Sequence, residues 1–115
     1  MGFSQDLVKG SVVPIVLSLV SERAMYGYEI VKIVNARTNG MFEWKEGTLY
    51  PTLHRLQAAG LVSAEWAGAA NREDTGRKRK YYHITAKGKR ELARRKNEWR
   101  EFSVAVNSCL LEGAR

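Results

Sequence analysis

Apolar positions set the outline of this chain. Leu7, Val8, Val12, Ile15, Val16, Leu19 and Val20 recur at helical spacing, which predicts a first helix over roughly Ser4–Glu22. Pro14 has no amide hydrogen to give an interior turn, so a kink or a fresh start is expected near Ser11. From Tyr28 to Arg37, Ile30, Val31, Ile33 and Val34 fall on one side and Glu29, Lys32 and Asn35 on the other, and Thr38-Asn39-Gly40 supplies a stop. After a short connection at Met41–Glu46, Leu49, Leu53 and Leu56 share one face of a third helix. Gly47, Thr48, Tyr50, Pro51, His54 and Arg55 lie on or near the opposite face; Pro51 is tolerable in a first turn, and Gly60 closes the helix.

Leu61–Trp66 alternates loosely and reads as a strand, Ala67–Lys80 is too polar for a core, and Lys80–Thr85 reads as the returning strand. The remainder lacks proline as far as Gly113 and predicts one long helix with Thr85 as its N-cap. Leu92, Trp99 and Val106 are seven apart, with Phe102 and Cys109 interleaved, but Arg95 interrupts the rhythm, so a long zipper is not expected. Three helices, a strand, a basic loop and a second strand form the winged helix-turn-helix pattern. The fold class is therefore α+β, mostly α, with residues 1–85 as the winged domain and 86–115 as a C-terminal helix.

Charge sharpens this outline. Asn71–Lys96 holds 11 of the 19 Lys and Arg but three of the 12 acids, so this block exceeds the formal net charge of +7 by itself. Such a block attracts a polyanion, either nucleic acid or an anionic membrane. Five of the 11, Arg72 and Arg77–Lys80, fall on the wing and so outside any amphipathic helix, which favours nucleic acid over a membrane. The longest apolar run, Val12–Val20, is broken by Pro14 and Ser18 and is too short to span a bilayer. No signal peptide is expected, and the single cysteine, Cys109, fits a reducing cytoplasm.

A helix N-terminal half in the major groove needs short polar and basic groups at its outer face. Thr48 can bond phosphate or base, Tyr50 carries a hydroxyl on a rigid ring, and Pro51 can pack on a thymine methyl. His54 and Arg55 can reach base edges or phosphate. Tyr50 stands at the edge of the apolar face, so a packing role is open to it as well. Arg77, Lys78, Arg79 and Lys80 suit phosphate or a narrow minor groove. Arg94, Arg95 and Lys96 lie on the long helix and read as solvated surface.

The segments AMYGYEI (24–30), GTLYPTLHRLQAAGLV (47–62) and KYYHIT (80–85), followed by Gly88, resemble the PadR-family transcriptional regulators over nearly the whole chain. The wing departs from the Gly-Arg-Pro-Arg turn common there, with Gly76-Arg77-Lys78-Arg79 in its place. The short last helix is similar to the small, single-helix subgroup. The resemblance implies a homodimer on double-stranded DNA, formed through the last helix, and a repressor released by an effector. An apolar stripe on a terminal helix seeks a partner; Leu7, Leu92, Trp99, Phe102, Val106 and Leu110 are the expected interface. A two-fold dimer implies a pseudopalindromic operator. In some relatives an aromatic residue near Trp99 lines a pore for flat hydrophobic compounds, so Trp99 and Phe102 are candidate effector contacts; the other reading is that Trp99 only packs the dimer.

An enzyme is not expected. His54 and His83 have no Cys or acidic neighbours at metal-ligand spacing, no phosphate-cradling Gly-rich loop precedes a helix, and no cofactor or metal is implied. The alternative is a winged-helix module that binds protein without specific DNA binding, since fold alone does not fix function.

Overall fold

Ser4 has extended backbone, and its hydroxyl accepts from the Leu7 amide at 3.3 Å, which starts the first helix. The computed structural model describes residues 2–67 and 79–111. Helix α1 (Gln5–Lys9) stops at Gly10, and α2 (Val12–Glu22) starts afresh after Ser11, whose hydroxyl donates to the Val8 carbonyl at 2.7 Å. The single predicted segment is thus two helices, broken at the expected place. The break puts Pro14 at the third position of α2, where no amide bond is lost.

A two-residue strand, β1 (Met25–Tyr26), precedes α3 (Gly27–Arg37). It pairs with a strand more than fifty residues on, so no local pattern announces it. The connection to the next helix is tightly bent: Asn39, Gly40 and Glu43 have φ of 53°, 76° and 56°. The Asn35 side chain clamps the main chain there, accepting from the Trp44 amide at 2.8 Å and donating to the Trp44 carbonyl at 3.0 Å. That clamp ties α3 to the chain two residues before α4 (Glu46–Ala58) begins.

Helix α4 ends in a Schellman motif. Gly60 has φ +78°, its amide donates to the Gln57 carbonyl, and the Leu61 amide donates to the Leu56 carbonyl at 2.9 Å. Strands β2 (Val62–Ala67) and β3 (Arg79–Ile84) follow, and the antiparallel sheet has the order β1-β3-β2. Thr85 caps α5 (Ala86–Leu110) as expected, accepting from the Gly88 amide at 3.0 Å. Val16, Leu17, Ile30, Leu49 and Leu53 form the centre of the core, with Trp44, Tyr82 and Leu92 also buried.

Candidate nucleic-acid interface

Helix α4 buries Leu49, Thr52, Leu53 and Leu56. The opposite face turns Gly47, Thr48, Pro51, His54 and Arg55 to solvent, as the spacing predicts. Pro51 corrects one expectation: it is the sixth residue of α4 rather than part of the first turn. The bond residue 51 would give to the Gly47 carbonyl is therefore missing. Burial of the three leucines holds the helix together across that gap.

The two flanks of this face differ. On one, the Arg55 guanidinium donates to the buried Thr52 hydroxyl at 3.2 Å, beside a groove of about 400 Å³ that reaches Lys9 and Asp6 of α1. On the other, Tyr50 is half-buried, and its phenol occupies the space that a Cβ at Gly27 would need. Burial, followed by the nearby Glu46 carboxylate, raises the Tyr50 pKa, so its hydroxyl stays neutral and able to donate. Tyr82 is raised by burial first and by Tyr50 second.

Between this flank and the wing strands lies a groove of about 570 Å³, bordered by Tyr26, Tyr28, Tyr50, His54, Trp66 and Lys80. The Lys80 ammonium sits 5.8 Å from the Trp66 ring centre and 5.7 Å from that of Tyr82. The Arg79 guanidinium lies 4.8 Å from the centre of the Tyr26 ring. Arg79 and Lys80 both border this groove, as His54 and Tyr50 do. Arg77 and Lys78 lie outside the described residues.

The last helix presents a separate surface. Trp99 and Phe102 are exposed with ring centres 5.9 Å apart, and Leu7 and Leu110 are exposed too, while Val106 is half-buried. Leu92 departs from the expected interface because it packs into the chain's own core, 6% exposed. The Trp99 ring borders a groove of about 600 Å³ with Pro14, Ile15, Phe42, Lys96 and Arg100. Arg94 and Arg95 both donate to Glu91.

Comparison with known proteins decides the family. The model of the PadR-like family of transcriptional regulators matches residues 16–94. This chain belongs to that family. It is 38% identical over 102 residues to an uncharacterized protein of Lysinibacillus sphaericus, covering 89% of this chain and 90% of the other. It is similar to the solved structure of a transcriptional regulator from Clostridium thermocellum, with a TM-score of 0.83 at 30% identity, covering 94% and 98% of the two chains. A PadR-like transcriptional regulator from Bacillus cereus gives a TM-score of 0.77 at 33% identity, covering 93% and 98%.

The winged helix-turn-helix reading and the α+β class hold, and the PadR-like family is one of transcriptional regulators rather than enzymes. Among the described residues, no helix is long and apolar enough to cross a membrane. Sequence reasoning missed Tyr26, Tyr28 and Trp66 as parts of the groove. Tyr26 comes from β1, Tyr28 from the start of α3 and Trp66 from β2, so only the fold brings them beside α4.

Proposed function

We propose that this PadR-like regulator works in the cytoplasm as a homodimeric repressor of a pseudopalindromic operator, released by a small hydrophobic effector. The reading rests on one juxtaposition: the polar outer face of α4 and the cations of β3 border the same groove. Thr48, Pro51, His54 and Arg55 would enter the major groove, with Tyr50 supporting them from the flank. Arg77, Lys78, Arg79 and Lys80 would hold the backbone beside it. Residues 1–85 then form the DNA-binding unit. The distal part of α5, with Trp99, Phe102, Val106 and Leu110, joins Leu7 in holding a second copy.

Selection of bound duplexes from a random pool, at stated salt, tests this reading. The expected result is a palindromic consensus with half-sites about one helical turn apart. Enrichment of nothing would favour a protein-binding winged helix. On the selected operator, Arg55→Ala should lower the ratio of operator to random affinity. Arg79→Ala should weaken both alike and reduce the salt slope by about 0.9. For the effector, a planar cationic dye should quench tryptophan emission through stacking on Trp99; quenching that persists in Trp99→Ala would remove that site.

A further inference from the structure

Alternation along β2 places Val62, Ala64 and Trp66 on one face of the sheet, paired in turn with Ile84, Tyr82 and Lys80 of β3. This is the core face: Val62 and Tyr82 are each 2% exposed. Two residues beyond Ala64 the same face carries Trp66, which is 63% exposed. The inner face of the sheet therefore runs out past the cover that α4 gives it, and on β2 it ends in a tryptophan. Trp66 looks across the 570 Å³ groove toward Tyr28, Tyr50 and His54.

The surroundings say what covers it. Lys80 stands directly opposite in the ladder, with its ammonium 5.8 Å from the indole centre, and Arg79 is its neighbour in sequence. The strand continues the basic block that carries the chain's net charge. A second copy of this chain would gain little by meeting so cationic a surface with its own, whereas a polyanion is complementary to it. The groove opens between the outer face of α4 and the wing. A duplex seated on both must lead one sugar–phosphate strand across it.

We propose that Trp66 and Lys80 form a further DNA contact at the base of the wing. The indole packs on a deoxyribose face, and the Lys80 ammonium binds the adjoining phosphate. The inference rests on the DNA-binding reading above, which already gives Lys80 a backbone contact, and adds to it the Trp66 contact, of opposite physical character. The indole contact is apolar, so it is indifferent to salt. The lysine contact releases a counterion and is salt-dependent. Neither reads a base, so both act on operator and random DNA alike.

Titration of the selected operator and a random duplex with full-length protein, from about 50 to 200 mM salt, separates the two. Trp66→Ala should lower affinity about tenfold at every salt concentration, leaving the slope unchanged. Trp66→Phe should recover most of the loss. Lys80→Ala should flatten the slope by about 0.9. Trp66 is exposed, so its variants should melt close to the parent, and Trp66→Phe keeps the test valid if Trp66→Ala does not fold. Wild-type protein that binds operator, with Trp66→Ala matching it at every salt, overturns this inference alone. A loss in Trp66→Ala that follows a fall in dimer mass by sedimentation overturns it in favour of a second copy as the occupant. Wild-type protein that binds no duplex overturns the DNA-binding reading and this contact with it.

Discussion

Glu91 accepts from two arginines at once, from Arg94 Nη2 at 2.8 Å and from Arg95 Nε at 2.6 Å. The hydrogen bonds from Arg94 and then Arg95 bring its pKa from 4.5 to about 2. A carboxyl with a depressed folded value adds stability that is full above its unfolded pKa and is lost as pH falls toward the folded one. The window for Glu91 is therefore about pH 4.5 to 2. The contribution is small because water screens the pair. Wild type should lose stability more steeply than Glu91→Gln across that window, measured as Tm at fixed ionic strength; parallel curves would assign Glu91 no part in acid unfolding. Residues whose roles are local could be read directly: Thr85 as a cap, and Gly60 as the left-handed end of a helix. Trp66 could not, because its exposure depends on where α4 stops covering the sheet.

Helix α4 carries an unusual burden for an element that must hold its shape. Pro51 removes an interior bond, at a cost of up to about 3 kcal/mol in an exposed helix. Its ring is exposed, and the residues that seat the helix are Leu49, Leu53 and Leu56. Pro51→Ala should raise stability by about 1–3 kcal/mol in urea unfolding while changing the bases preferred in the selected operator. A variant less stable than the parent would mean that the proline stabilises α4 by more than its missing bond costs. The spacing of those leucines made this helix legible, but not the position of Pro51 within it, because the helix starts at Glu46, three residues before the first of those leucines. The break between α1 and α2 was legible from Pro14. Strand β1 was not, since two residues have no period and their partner, β3, is remote.

At the scale of the whole molecule, the described chain leaves two surfaces unfinished, one cationic and one apolar. The core is closed by α2, α4 and the base of α5, where Leu92 is buried. Beyond that turn α5 offers Trp99, Phe102 and Leu110 to solvent. Heptad spacing foresaw this stripe but could not tell its first residue, already used by the core, from the others. Phe102→Asp should convert a dimer into a monomer in sedimentation at micromolar concentration. A parent that is already monomeric would refute the assembly outright.

The two unfinished surfaces are not independent. Thr85 donates to the Gly60 carbonyl at 2.7 Å, Lys87 donates to the Ala59 carbonyl at 2.9 Å, and Gly88 fits so closely over the Leu61 carbonyl that a Cβ has no room. These contacts rivet the C-terminal cap of α4 to the first turn of α5. A 25-residue helix is a rod of roughly 37 Å, and a rod fixed at one end is a lever. A small tilt imposed where Trp99 and Phe102 lie is delivered to the end of α4 without slack. In a two-fold assembly the opposed levers would set the distance between two reading helices, and that distance is what one turn of DNA measures.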